Sequence, residues 1–176
     1  MLQLVSPFPQ NQLRECFGWH AYSLAFLNAR NSSLEVFQAY MEDLLRRSLS
    51  WGIYWKDHLV GIALFEPLQF PGQTQVGDGY VHVAIARRIW GKGVIDTICK
   101  ELIPEVFQYY PHLRRMSAWT LEGNTPARHL AERLGFTQEG LMRQGYQMDG
   151  KTHNLVLYGL VRGEGPYGWT NNHNQD

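Results

Sequence analysis

The chain has 176 residues, 44% of them hydrophobic, and its 16 lysines and arginines balance its 16 aspartates and glutamates. This length suits one domain with a substantial core, and a neutral chain has no general electrostatic reason to bind nucleic acid or an anionic membrane. The two cysteines, Cys16 and Cys99, are too few for a disulfide framework. No signal-peptide pattern or membrane-length apolar run appears, so we expect a cytoplasmic protein that binds neither nucleic acid nor membrane.

The first half of the chain predicts a strand, two helices and a β-hairpin. Residues 11–28 carry aromatic side chains three to four apart, which is a loosely helical pattern. Ser32 and Ser33 offer an N-cap for a second helix, whose apolar stripe begins at Leu34 and recurs at helical spacing. The predicted strands are 2–5, 51–55 and 59–65, with residues 56–58 as the hairpin turn.

The second half alternates strands and helices before it ends in another hairpin. Residues 66–79 are rich in proline and glycine and predict a loop. The predicted helices span 93–109, which Pro104 should kink or end early, and a segment that begins at Asn124-Thr125-Pro126 and stops at Gly135. The predicted strands are 80–85, 116–121, one from residue 136, and 154–161, with a turn at 149–150. We expect a domain over 1–162 and a flexible tail over 163–176.

One stretch has the pattern of an anion site. An apolar strand ends at Ile85, a helical pattern begins near Val94, and Gly91 and Gly93 lie between them with Lys92. Glycines let a backbone approach its ligand closely, and the free amides and dipole of a helix N-terminus favour negative charge. This arrangement predicts a pyrophosphate cradle.

Three sequence blocks then point to a family. They are Trp90-Gly91-Lys92-Gly93, Asn124-x-x-Ala127 followed by Leu134-Gly135-Phe136-x-x-Glu139-Gly140, and Val156-Leu157-Tyr158-Gly159 in the last predicted strand. Together they resemble the GNAT superfamily of acyl-CoA-dependent N-acetyltransferases, most closely the branch that includes the ribosomal-protein N-terminal acetyltransferases. The resemblance covers about residues 1–162.

The resemblance implies an α+β (mixed α/β) GNAT fold. Its central, mostly antiparallel sheet would have six to seven strands, splayed between strands 4 and 5, with about four helices. It implies acetyl-CoA as co-substrate and a primary amine, either a protein N-terminus or a small amine, as acceptor. We expect the protein to be a monomer or a homodimer. The resemblance implies no metal.

The resemblance also assigns the cofactor contacts. Strand backbone would pair with the pantetheine arm, the glycine turn would cradle the pyrophosphate, Arg88 and Lys92 would add positive charge, and Asn124 would contact the thiol arm. An alternative register, Arg88-x-x-Gly91-x-Gly93, shifts the cradle by two residues. The implied cofactor residues are Val83, Ala84, Ile85, Arg88, Trp90, Gly91, Lys92, Gly93, Val94, Ile95, Asp96 and Asn124.

Candidates for acid–base chemistry are few. The positions at which some family members carry a glutamate base and a tyrosine acid hold Trp119 and Ala131. His82 is a candidate base near neutral pH, unless it packs on the far face of its strand. Tyr146 is a candidate acid or acceptor-site residue, unless it is an ordinary strand aromatic. The missing pair leaves a second hypothesis open, a GNAT-fold binding or structural module without efficient turnover.

Overall fold

A computed structural model describes residues 1–19, 33–148 and 150–169. Within these residues, the strands and α-helices follow the predicted order: a strand, two helices, three strands, a helix, a strand, a helix and two strands. The strands are β1 (Leu2–Val5), β2 (Leu49–Trp55), β3 (His58–Leu68), β4 (Asp78–Ile85), β5 (Arg115–Leu121), β6 (Thr137–Met148) and β7 (Lys151–Val161). The α-helices within the described residues are α1 (Leu13–Phe17), α2 (Leu34–Arg46), α3 (Val94–Tyr109) and α4 (Thr125–Arg133).

The strands form one mixed sheet of seven, in the order β1-β2-β3-β4-β5-β7-β6. β4 and β5 pair in parallel, with Tyr80 opposite Ser117, whereas β1 with β2, β2 with β3, and β7 with both β5 and β6 are antiparallel. The mixed α/β class, the seven strands and the mostly antiparallel sheet are therefore confirmed. The splay between strands 4 and 5 stays a prediction.

The internal contacts divide the chain into two compact units. The first consists of Met1–Glu66 and Val81–Ile95, and the second of Pro67–Tyr80 and Asp96–Asp176. In the described part of the chain, no helix is both long and apolar enough to cross a membrane.

The core of the first unit forms where α1 and α2 pack on β3 and β4. Ser33 caps α2 by accepting a hydrogen bond from the Val36 amide (3.4 Å), as one of the two predicted caps. The predicted apolar stripe is confirmed, since Phe37, Met41 and Leu44 are fully buried in the cluster that also holds Ala84 of β4. The part of the predicted first helix at residues 20–28, and Ser32, lie outside the described residues.

The hairpin turn of the first unit is tighter than predicted. Lys56 and Asp57 have φ of 50° and 63°, and Trp55 pairs with His58, so His58 belongs to β3 and not to the turn. Two left-handed residues match the right-handed twist of the flanking strands. The predicted loop at 66–79 is also shorter, because β3 extends to Leu68 and β4 begins at Asp78.

The second unit corrects one helix prediction. α3 continues through Pro104 to Tyr109, so the expectation of an early end is wrong. Val106 and Phe107, which follow Pro104 in the helix, are at most 3% exposed, and this burial stabilises the last turns despite the lost backbone hydrogen bond. Asn124 caps α4, and Gly135 follows its end with a φ of 90°, as predicted.

The C-terminal hairpin and the segment after it complete the second unit. Met148 pairs with Lys151 across a two-residue turn that contains Gly150, and β7 starts at Lys151, three residues before the predicted start. Asp149 lies outside the described residues. Beyond β7, Trp169 is 5% exposed and its Nε1 donates a hydrogen bond to the Leu134 carbonyl (3.1 Å). Packing thus continues to residue 169, and flexibility of the tail beyond it stays a prediction.

Candidate active site

The predicted strand–turn–helix is present, and its glycine turn belongs to the first unit. A short 3₁₀ turn, Arg87–Ile89, follows β4, and Gly91 (φ 73°) and Gly93 (φ 69°) then lead into α3 at Val94. A Cβ atom built on either glycine meets no atom within 4 Å, so the outer side of the turn is open. The turn therefore has the backbone form and the free space that a bulky anion needs.

Two side chains fix the shape of this turn by binding backbone carbonyls. The Trp90 indole Nε1 donates to the Ile85 carbonyl (3.2 Å), and the Arg88 guanidinium donates to the Leu59 carbonyl (2.8 Å). Arg88 is therefore engaged with β3 and is not simply a point charge aimed at a ligand. Lys92 is exposed in the turn. The Ile85 carbonyl, expected to pair with the pantetheine arm, already accepts one hydrogen bond.

The strand before the turn has two distinct faces. His82 and Ala84 are buried, whereas Val83 and Ile85 alternate with them and are half-buried. Strand backbone at these positions is in line with the expected pantetheine contacts, which stay a prediction. At the start of α3, Val94 is buried and Ile95 is half-buried.

The remaining two cofactor candidates, in the second unit, hold local structure together. The Asp96 carboxylate accepts hydrogen bonds from Lys100 Nζ (2.7 Å) and Arg133 Nε (3.4 Å). The Lys100 hydrogen bond is the main reason that the pKa of Asp96 lies below its ordinary value. Asn124 Oδ1 accepts from the Ala127 amide (3.4 Å) as the cap of α4. Its expected contact with the thiol arm stays a prediction.

His82 does not have the pKa of a base that operates near neutral pH. It is 8% exposed, and its Nε2 lies 3.2 Å from Glu66 Oε2, while the other oxygen of Glu66 pairs with Arg47. Burial, followed by the positive charge of Arg47, lowers the pKa of His82 from 6.5 to about 4. A carboxylate such as Glu66 alone would raise the pKa, but burial and Arg47 both act in the opposite direction and prevail. The alternative of a packed strand histidine fits better.

Tyr146 has a more accessible position in the second unit. It lies in β6 opposite His153 and is half-buried. Its ring centroid is 6.1 Å from that of Trp119 in β5, with the planes tilted by 38°. Trp119, which occupies the position of a family glutamate, thus forms an aromatic pair with the candidate acid.

Two further polar residues of the second unit, Glu139 and Ser117, belong to an ion-pair network. Glu139 Oε2 accepts a hydrogen bond from Arg115 Nη2 (2.6 Å), and Ser117 Oγ lies 3.1 Å from Asp78 Oδ1. Arg115 Nη2 also donates to Ser117 Oγ (3.3 Å). These contacts give Glu139 a structural role as the partner of Arg115.

Sequence reasoning missed how the C-terminal hairpin is shaped. Gln144 has a φ of 54°, and its backbone amide donates to Asn154 Oδ1 (2.8 Å). The sequence held one signal for this irregularity, Gly145 inside a strand pattern, because an isolated strand glycine indicates a bulge or a close approach.

A family model described as the acetyltransferase (GNAT) family matches residues 13–136. The chain belongs to the GNAT family. It is 38% identical over 80 residues to the putative ribosomal N-acetyltransferase YdaF of Bacillus subtilis, a match that covers 46% of this chain and 43% of YdaF. It is 28% identical over 109 residues to the uncharacterized N-acetyltransferase p20 of Bacillus licheniformis, covering 61% of this chain and 58% of p20. The match thus spans about half the length of these relatives.

Solved structures have the same GNAT fold. The ribosomal-protein-alanine N-acetyltransferase of Brucella melitensis aligns over 92% of this chain and 99% of its own, with a TM-score of 0.73 and 21% identity. The spermidine/spermine N-acetyltransferase SpeG of Vibrio cholerae aligns over 92% and 95%, with a TM-score of 0.70 and 16% identity. At these identities the likeness concerns the fold alone, and it confirms the fold that the motifs predicted.

Proposed function

We propose that this GNAT chain is a cytoplasmic N-acetyltransferase that transfers the acetyl group of acetyl-CoA to a primary amine. The observation that carries the proposal is the open glycine turn at the start of α3. Gly91 and Gly93 have left-handed φ values and no neighbouring atom where a side chain would lie. A diphosphate fits such a turn, because the first amides of a helix lack intrahelical acceptors and exposed Lys92 adds charge.

The chain's own residues then position the amine and protonate the departing thiolate. Bound acetyl-CoA supplies the activated acetyl thioester. Holding an amine against it supplies roughly 7–11 kcal/mol through proximity alone. We assign Tyr146 to protonation of the departing thiolate or to the lining of the amine site. His82 is too weak a base at its pKa of about 4, so the amine proton leaves through water.

A protein N-terminus is our proposed acceptor class. The support comes from similar proteins: the B. subtilis relative is a putative ribosomal N-acetyltransferase, and the Brucella melitensis protein is a ribosomal-protein-alanine N-acetyltransferase. An acetyltransferase of Salmonella typhimurium, whose structure aligns with a TM-score of 0.70 at 16% identity, modifies the N-terminal serine of ribosomal protein L7/L12. SpeG represents the competing class, small polyamines.

One observation favours a second candidate function, a binding or structural module without efficient turnover. Trp119 and Ala131 occupy the positions at which some family members carry a glutamate base and a tyrosine acid, and Trp119 instead pairs with the Tyr146 ring. Such a module binds CoA but does not release its thiol in the presence of amines.

The test combines cofactor binding with turnover. Calorimetry with acetyl-CoA and with CoA measures binding, and thiol release is followed with peptides that begin with alanine or serine and with spermidine. We expect binding of both cofactors and thiol release with the peptides. Binding without release from any amine supports the module, whereas no binding at all contradicts both candidates.

A pair of glycine variants tests the turn itself. Gly93→Val places a β-branched side chain at a φ of 69° on the open side of the turn. Gly150→Val introduces the same strain at a φ of 70°, also with no atom within 4 Å, in the β6–β7 hairpin. We expect Gly93→Val to weaken acetyl-CoA binding at least about 10-fold, or 1.4 kcal/mol, and Gly150→Val to leave it unchanged. Equal effects would show that strain, not the turn, is responsible.

A further inference from the structure

The C-terminal hairpin contains a bulge that precedes Tyr146. Met142 pairs with Leu155 and Tyr146 pairs with His153, so three residues of β6, 143–145, lie opposite the single residue Asn154. Gln144 in the middle has a φ of 54°, which is uncommon for a residue other than glycine. Bulges re-aim the side chains that follow them and are frequent beside active sites.

Asn154 holds this bulge from the facing strand. Its Oδ1 accepts a hydrogen bond from the Gln144 amide (2.8 Å), and its Nδ2 donates to Glu122 Oε2 (2.9 Å) just after β5. The Glu122 amide donates in turn to the Asn154 carbonyl (3.0 Å). The side chain must accept on one side and donate on the other, which asparagine does and aspartate does not.

The bulge is tightly built. A Cβ atom on Gly145 would lie 2.7 Å from Met142 Sδ, so a side chain at this position would displace Met142. Tyr146 follows directly after Gly145, and its ring centroid lies 6.1 Å from that of Trp119.

We infer that Asn154 is a positioning residue for Tyr146, which acts by fixing the bulge at Gln144 and thereby the tyrosine ring against Trp119. The inference rests on the proposed function, since Tyr146 acts there on the thiolate or the amine. It assigns to Asn154 a role in turnover and none in binding acetyl-CoA.

The experiment compares variants of the full-length protein. Asn154→Ala removes both hydrogen bonds. Asn154→Asp keeps the acceptor for Gln144 but sets a carboxylate against Glu122. The double variant Glu122→Gln/Asn154→Asp restores a donor–acceptor pair with the two groups exchanged. Thr152→Ala, on the same strand and exposed, is the matched control. Steady-state kinetics with an alanine-initiated peptide and NMR hydrogen exchange at the Gln144 amide are the readouts.

We expect Asn154→Ala to speed exchange at Gln144 and to lower kcat about 10-fold or more, with KM for acetyl-CoA changed less than about 2-fold, because small misplacements reduce rates steeply. Asn154→Asp should lower kcat, and the double variant should restore it. Thr152→Ala should behave as the parent protein. If Asn154→Ala does not fold, Asn154→Asp and the double variant carry the comparison.

Three results would overturn the inference: an unchanged kcat in Asn154→Ala, a KM that rises as much as kcat falls, or a double variant that stays as slow as Asn154→Asp. Failure of the proposed function is distinguishable from these, because it appears as an absence of thiol release in the parent protein. In that case the role in turnover is wrong as well, while hydrogen exchange at Gln144 still shows whether Asn154 fixes the bulge.

Discussion

His82 and Tyr146, the two candidates for acid–base chemistry, lie in opposite kinds of surroundings. His82 is buried in the first unit and contacts a carboxylate that Arg47 also binds. Tyr146 is half-buried in the second unit, beside an aromatic ring and after a fixed bulge. A buried polar group is stable when its partners are internal, and those same partners occupy the atoms that a substrate would need.

This difference in surroundings indicates which of the two candidates is suited to contact a substrate. The neutral state of His82 is maintained by burial, so its titration affects folding stability. Tyr146 is half-buried and follows the bulge that Asn154 holds through the Gln144 amide, so its removal should affect turnover. Stability and turnover are measured separately, which makes the contrast testable.

The largest expected effect comes from Tyr146→Phe. Removal of a phenol that protonates the thiolate should lower kcat by roughly 10²–10⁴-fold, while the melting temperature and acetyl-CoA affinity stay unchanged. Tyr109→Phe, at a residue 64% exposed near the end of α3, is the control. An unchanged kcat would place Tyr146 among ordinary strand aromatics.

The next effect concerns the pH dependence of stability at His82. Its pKa of about 4 in the folded chain lies below the ordinary 6.5, so the unfolded chain binds the extra proton between these values. The contribution of His82 to the free energy of unfolding is therefore fully present above pH 6.5 and is lost as the pH falls towards 4. Each pH unit between the two pKa values lowers the free energy of unfolding by about 1.4 kcal/mol, so the total loss is up to roughly 3 kcal/mol.

His82→Gln isolates this contribution, because other groups also titrate in acid. Urea unfolding from pH 7 to pH 4 should show a flatter pH dependence for the variant than for the parent. At pH 7.5, kcat should change little. Parallel pH curves would show that His82 does not titrate in this window, and a large loss of kcat would return it to the list of catalytic candidates.

The smallest effect is expected from Arg47→Gln. The Arg47 side chain is 48% exposed, so loss of its pair with Glu66 should destabilise the fold by about 1 kcal/mol or less. The loss should also raise the pKa of His82, since the charge of Arg47 lowers it, and so reduce the acid-linked loss of stability. The neighbour Arg46, 66% exposed and paired only with Asp43 among the described contacts, provides the control Arg46→Gln.

Local patterns predicted most of the elements correctly. The α2 stripe, the Ser33 and Asn124 caps and the glycine turn each depend on residues within a few positions of one another, so periodicity and turn chemistry suffice. Pro104 shows the limit of such reasoning. The local rule predicts a break, and burial of the residues beyond it keeps the helix intact.

The sequence by itself determined the order of the elements, the glycine turn and, through three motif blocks, the GNAT family. These depend on residue type at short spacing: glycine adopts a φ near 70° at no steric cost, and a helix needs its cap and its stripe. Tertiary structure alone decided the surroundings of the candidate residues. Glu66 lies 16 positions from His82, and Glu122 lies 32 from Asn154, so no local pattern contains either contact. The low pKa of His82 follows from burial and the charge of Arg47, and the bulge before Tyr146 is held by Asn154. Burial and hydrogen bonding depend on neighbours in space, which are distant in the sequence.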